Sequence, residues 1–299
     1  MSDNTTAGSM AAFAHEEDAI AQPPLPDGGP TRSALRVWAI GSWRAFSPLV
    51  VSGVVAVGAW ALFLKAFDIN PLLGKSPKAV YEYLFTVEAA ADNRSSVLSA
   101  LGITLKDAAY GFVGGMAAAV VVAILFVLYR SVEQAFMPIA MLLRSVPLVA
   151  MTPIIVLIFG RGLWGVAVIA GIVVFFPALV TIVFGLRSVA PQTRDLVVAY
   201  GGSNWTALRK VAFPTALPSI FAAARISVPG ALIGALVAEW LATGQGTGGQ
   251  IITDIPSFKY ADVWANIAVL TGTSIVLYTI VGLFEAFVLA RYGPAPEAH

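Results

Sequence analysis

The chain alternates long apolar stretches with shorter polar ones, and the apolar stretches have membrane length. About 20 apolar residues cross a bilayer as a helix. Six segments approach or exceed that length: 48–67, 107–128, 146–160 (with an approach that can begin near 136), 163–186, 216–241 and 263–290. The pattern therefore predicts an all-α polytopic membrane protein with about six transmembrane helices, forming one membrane domain over residues 48–292. Residues 70–106 read as a polar connection, broken by Pro71 and Pro77, with a short amphipathic piece around Val80–Phe85. Residues 31–47 interleave Arg32, Arg36 and Arg44 with Trp38, Trp43 and Phe46, the pattern of an interfacial helix. Residues 1–30 are polar and carry Pro23, Pro24, Pro26 and Gly28-Gly29, so a disordered tail is expected there, and residues 293–299 form a second tail. No signal-peptide pattern opens the chain.

Composition agrees with this reading and removes several functions. The chain is 58% hydrophobic and 12% charged, where a soluble domain carries about 25% charge. A net charge of +1 argues against a nucleic-acid partner, and membrane lipid is the expected surrounding. There is no Cys, and the two histidines, His15 and His299, lie in the tails, so no His- or thiolate-based metal or catalytic site is expected. No Walker A sequence is present; if transport consumes ATP, the ATP and Mg sites belong to another polypeptide, and this chain is not itself the enzyme. Asp107, Glu239 and Glu285 fall at span ends, which disfavours a mid-membrane carboxylate relay, and Asp107 with Lys106 reads as solvated at a span mouth.

The most informative polar stretch is 187–214. Pro191 suits a first helical turn, Gly201-Gly202 can close that helix in the left-handed conformation, and Ser203 can cap a second one running from Asn204 to about Ala212, limited by Pro214. Leu196, Val197 and Tyr200 recur at helical spacing on the first piece; Trp205, Leu208 and Val211 do so on the second. Such a stripe can lie on the membrane, pack on its own chain or dock into a partner's groove. Arg209 and Lys210 are most simply positive-inside residues, and can also pair with acids on a partner.

These residues resemble the EAA loop of ABC importer permeases, E-A-A-x3-G-x9-I-x-L-P. Here Asp195-Leu196-Val197 is followed after three residues by Gly201, and after nine more by Val211-Ala212-Phe213-Pro214. The Gly-Gly-Ser-Asn-Trp run and Leu217-Pro218 resemble the sulfonate/nitrate/taurine branch. The likeness extends over about 71–292, including Leu143-Arg144-Ser145-Val146-Pro147, Phe176-Pro177 and Ala238-Glu239-Trp240. The resemblance implies the type I importer fold and a bacterial inner-membrane location. It implies that 187–214 is a coupling loop, with Asp195, Leu196, Val197, Tyr200, Gly201, Gly202, Trp205, Arg209, Val211 and Pro214 facing the ATPase. It also implies a second permease copy, two cytoplasmic ATPase subunits and an extracytoplasmic substrate-binding protein. The substrate class it suggests is a small organic anion (a sulfonate, taurine or nitrate) or a heteroaromatic vitamin precursor. The alternatives are a stand-alone secondary transporter or channel, driven by an ion gradient, and a membrane scaffold that conducts nothing.

With both termini on the cytoplasmic side, loop and near-loop Lys and Arg residues number eleven inside against seven outside, a modest bias that agrees with this orientation. Phe175 and Phe176, next to a kinking Pro177, and Glu239, ending the fifth span beside Trp240, are the candidates for the substrate pathway or outer gate; helix packing and an interface position are their plainer readings. Gly230 and Gly234 form a small-x3-small pair, for packing or for a subunit interface, and Thr243–Gly249 reads as a flexible outer loop.

Overall fold

The computed structural model describes residues 51–292; the expected tails, the interfacial helix 31–47 and the start of the first span lie outside them. Within this range the chain is helical. The elements are α1 (Val51–Ala66), α2 (Pro77–Phe85), α3 (Ala90–Leu128), α4 (Arg130–Ser145), α5 (Leu148–Phe159), α6 (Leu163–Arg187), α7 (Pro191–Ala199), α8 (Asn204–Thr243), α9 (Gly246–Asp254) and α10 (Tyr260–Tyr292). The chain divides into two units, of which residues 60–299 hold the core discussed below.

Helices α3, α6, α8 and α10 are long and apolar enough to cross a membrane, and α4 with α5 makes a fifth candidate bent by 106°. The first of the six expected spans appears as α1, which is apolar but shorter. The bend falls at Val146-Pro147, both extended, because the proline ring disfavours the helical conformation of the residue before it.

Helix α6 is the centre. It is apolar all round, as an interior helix should be, and its main neighbours are α3 and α8. Small residues make this three-helix approach possible. A Cβ on Gly111 of α3 would lie 2.2 Å from the Ala170 Cβ of α6, and one on Gly234 of α8 would lie 2.6 Å from the Ala170 Cα. Gly230 also faces α6, at Val173. The Gly230/Gly234 pair therefore serves packing inside the chain. Toward the α7 end, the core is filled by Ala123 and Phe126 of α3, Leu179, Ile182 and Leu186 of α6, and Leu208, Ala212 and Ala216 of α8.

Two expected boundaries move. The helix expected to start at 107 starts at Ala90, because 90–106 is amphipathic: Val97, Ala100, Leu101 and Thr104 are buried while Asp92 and Ser96 stay in contact with solvent. Asp107 consequently sits within a helix, buried, where a solvated span mouth was expected. Pro214 does not end the second loop helix. A π-turn over Leu208–Ala212 precedes it, and Phe213 N–H reaches back to the Leu208 carbonyl. The widened turn absorbs the proline's missing N–H, so α8 runs on through Pro214, Pro218 and Pro229.

At the other end of the bundle, α2 is bolted on by Val80 and Leu84 packing on Val97 and Ala265. Trp60 stacks on Trp264 at 5.2 Å, and Tyr83 donates to Asp262. Burial, and then that carboxylate, push the Tyr83 phenol above the ordinary tyrosine range.

Candidate functional site

The 187–214 stretch folds as two helices joined by a closed turn. Pro191 stands in the first turn of α7. At its end Tyr200 is the cap, Gly201 is left-handed with φ +79°, Gly201 N–H bonds the Val198 carbonyl at 2.9 Å and Gly202 N–H bonds that of Val197 at 2.9 Å. This is a complete Schellman closure. Gly202 is required for space as well, since a Cβ there would lie 2.6 Å from Val197 Cγ1. Ser203 caps α8 by accepting from Thr206 N–H at 3.2 Å. Arg194 Nη2 donates to Asn204 Oδ1 at 3.1 Å, tying the two helices together.

The loop is thus a rigid hairpin, and its apolar residues divide into two sets. Leu208 is buried in the core, and Val197 and Val211 are half-buried. Leu196, Tyr200 and Trp205 point away; Tyr200 is 86% exposed and Trp205 54%. Asp195, Gly201, Arg209 and Pro214 are exposed too. Asp195, Arg194, Val198 and Val211 line a cavity of about 680 Å³ that reaches Leu128 and Arg187 at the ends of α3 and α6. Arg187 in turn pairs with Glu133 of α4, so the ends of three helices, α3, α4 and α6, converge on the hairpin.

The three pathway candidates do not share one surface. Phe175 and Phe176 meet edge to face, 5.1 Å between ring centres, but look into different spaces. Phe175 faces an apolar groove of about 420 Å³ between α3 and α6, with Tyr110 and Trp164. Phe176 faces a cavity of about 310 Å³ at the α4–α5 elbow, with Arg144, Ser145 and Pro147.

Glu239 has no exposed surface at all. Its Oε2 accepts from Thr104 Oγ1 of α3 at 2.9 Å and from Gly248 N–H of α9 at 2.9 Å, and Thr104 Oγ1 in turn accepts from Thr247 N–H at 2.9 Å. The expected flexible loop 243–249 is therefore corrected: from Gly246 it is the start of α9, and its glycines are moulded on this carboxyl. Gly246 has φ +68°, and a Cβ there would fall 2.4 Å from Glu239 Oε1; one on Gly248 would fall 2.7 Å from the Leu236 carbonyl. The contributions of Thr104, Thr247 and the two glycines were not apparent from the sequence, although a glycine run within ten residues of a span-ending acid was the available signal.

The node makes a direct prediction. Glu239→Ala leaves the buried Gly248 N–H without its acceptor, at a cost of about 1–3 kcal/mol, while the Thr104 hydroxyl falls back on the Ala100 carbonyl at 3.2 Å. Amide hydrogen exchange across 246–254 should quicken strongly in Glu239→Ala and stay near wild type in Glu239→Gln, which keeps an acceptor oxygen. Equal protection in all three proteins would mean that α9 does not depend on the node.

A family model described as the binding-protein-dependent transport system inner membrane component matches residues 96–293. A probable ABC transporter permease protein of Haemophilus influenzae is 28% identical over 235 residues, 79% of this chain and 93% of its own. The riboflavin transport system permease protein RibX of Chloroflexus aurantiacus is 32% identical over 156 residues, 52% of this chain and 58% of its own. The formylaminopyrimidine transport permease protein ThiX of Halalkalibacterium halodurans is 31% identical over 179 residues, 58% and 72%. With the all-helical membrane fold and the hairpin in place, the chain belongs to the binding-protein-dependent transport system inner membrane component family, the permeases of ABC importers.

Proposed function

We propose that this permease forms half of a translocation pathway and takes its power stroke through the α7–α8 hairpin. The observation that carries the reading is that hairpin: a turn locked by a Schellman closure, a cap and the Arg194–Asn204 bond, presenting Tyr200 and Trp205 outward. Two exposed aromatics on a stiff support are the anchors a partner's cleft accepts. The ATPase subunits, which carry ATP and Mg, would seat this hairpin, with Asp195, Leu196, Gly201, Arg209 and Pro214 around the aromatic pair. Closure of the ATPase dimer would draw two such hairpins together. Because α8 continues from the hairpin as one helix to Glu239 and the α9 node, displacement at one end is carried toward the other.

The rest follows from that assignment. A second copy of the chain completes the pathway, a substrate-binding protein delivers the solute from outside, and both termini lie in the cytoplasm of a bacterium with this chain in its inner membrane. Phe176, at the elbow cavity, is the pathway residue; Phe175 packs toward the α3–α6 groove, and Glu239 holds the outer end closed. Two of the similar permeases are named for riboflavin and formylaminopyrimidine transport and another, of Bacillus subtilis, for aliphatic sulfonates transport, which supports a flat heteroaromatic solute or a small organic anion here.

The test is uptake into proteoliposomes holding the permease with its operon's ATPase and binding protein. Uptake should require ATP inside and ignore imposed ion gradients. Gly201→Asp should abolish at least nine-tenths of it: Gly201 has open space around it, but its φ of +79° disfavours any side chain, so the change both strains the turn that presents Tyr200 and Trp205 and adds a charge where the ATPase docks. Uptake driven by an ion gradient without ATP would replace this reading with a secondary transporter.

A further inference from the structure

The elbow between α4 and α5 has a chemistry that the coupling role leaves unused. Helix α5 has 12 residues and rises about 18 Å, against a hydrocarbon layer of about 30 Å. Standing across that layer with its Gly160 end at one face, α5 would place the non-helical Val146-Pro147 pair inside it. Irregular backbone at such depth survives only where it is packed in protein or borders a hydrated cavity. The elbow does border one, of about 310 Å³.

That cavity carries a single charge. Arg144 lines it, together with Ser145, Met151, Ile172, Phe176 and Pro177. Among the described residues the Arg144 guanidinium has no ion pair and no hydrogen bond, in contrast to Arg187, Arg194 and Arg225, which bond Glu133, Asn204 and Glu285. Ser145 Oγ donates its proton to the Leu142 carbonyl at 2.7 Å and keeps its lone pairs toward donors. No acid lines the space. Arg144 is exposed on α4, free to meet a ligand in the cavity, and a charge at such a depth is costly and is retained where it has a task. An unpaired guanidinium beside an aromatic ring and aliphatic walls fits one class of ligand: a small organic anion whose acidic head takes the guanidinium's N–H donors and whose apolar body lies against Phe176 and Met151.

We propose that the elbow cavity is an anion-binding station on the permease itself, with Arg144 as the cation that receives the acidic group and Phe176 as the surface for the rest of the molecule. The proposal rests on the importer reading for its role in transport, but the site stands on the permease alone. The same chemistry could be filled by a transported anion or by an anionic lipid headgroup.

Benzenesulfonate and its uncharged counterpart benzenesulfonamide separate the possibilities. Binding of each to the purified permease, without ATPase or binding protein, is measured in nanodiscs of zwitterionic lipid. Benzenesulfonate should bind wild type and weaken by about tenfold or more in Arg144→Gln, the loss of one charge-assisted bond. Benzenesulfonamide should bind more weakly and be indifferent to Arg144→Gln, while Phe176→Ala should weaken both. Equal benzenesulfonate affinity in wild type and Arg144→Gln overturns the site. Repeating the measurement with phosphatidylglycerol in the disc assigns the source: competition that vanishes in Arg144→Gln makes the lipid headgroup the occupant, and its absence leaves the solute anion. Because neither measurement uses ATP, failure here leaves ATP-driven uptake intact, and failure of ATP-driven uptake leaves the binding result standing.

Discussion

Tyr200→Ala combined with Trp205→Ala is expected to strip the ATPase from the permease while leaving the permease folded. The reasoning turns on exposure. Tyr200 is 86% exposed and Trp205 54%, so neither removal opens a cavity in the chain, and exposed substitutions generally change stability by less than about 0.5 kcal/mol. The hairpin's closure does not use either side chain: the turn bonds are backbone bonds at Gly201 and Gly202, and the cap is Ser203. At an interface, a buried aromatic anchor is worth about 2 kcal/mol or more, about 30-fold in affinity for each. The double variant should therefore lose co-purification of the ATPase under conditions where wild type retains it, and ATP-driven uptake should fall with it. Leu208→Ala is the contrasting change. Leu208 is buried in the core of α3, α6 and α8, so its loss should lower thermal stability by about 2–5 kcal/mol with a smaller effect on ATPase binding per molecule that folds. If the double aromatic variant keeps its ATPase, the hairpin is not the docking element.

What could be read from the sequence depended on how far apart the interacting residues lie. The hairpin was legible almost atom by atom because its causes are local: a proline in a first turn, two glycines where the chain turns left-handed, a serine that caps. The long helices were legible because apolar length alone specifies them. Both boundary errors came from reading a polar or proline residue as a stop. Residues 90–106 contain enough charge to look like a loop, yet one face packs through Val97, Leu101 and Thr104. Pro214 looked like a terminator because the π-turn before it leaves no local trace. The Glu239 node was the least legible element. Its partner Thr104 is 135 residues away, and the glycines that shape it read equally well as loop residues until the carboxyl behind them is known. The acid itself was identified as unusual, but its burial was not.

The second large effect is expected from a single methyl group in the middle of the bundle. Gly111→Ala places a Cβ 2.2 Å from the Ala170 Cβ and 3.0 Å from the Ala170 carbonyl carbon. Backbone atoms on α6 cannot rotate away, so the two helices must separate, and α6 is held on its other side by Gly234, which meets the same Ala170. Without a hydrophobic drive between helices in lipid, close backbone approach through small residues is what supplies their association, and overpacking such a contact costs about 1–3 kcal/mol or more. Gly111→Ala should thus lower the permease's thermal transition in detergent by several degrees, and Gly111→Leu should prevent recovery of folded protein. Gly114, three residues along the same helix, has nothing within 4 Å of its Cβ position; Gly114→Ala should be neutral or slightly stabilising, since alanine favours helix over glycine by about 1 kcal/mol. The decisive variant is the pair Gly111→Ala with Ala170→Gly. Removing the Ala170 methyl deletes the 2.2 Å clash and leaves contacts near 3 Å, so the double variant should recover part of the stability that Gly111→Ala loses. Strict additivity of the two losses would show that α3 and α6 do not meet at this point, and the packing centre assigned to Ala170 would be wrong.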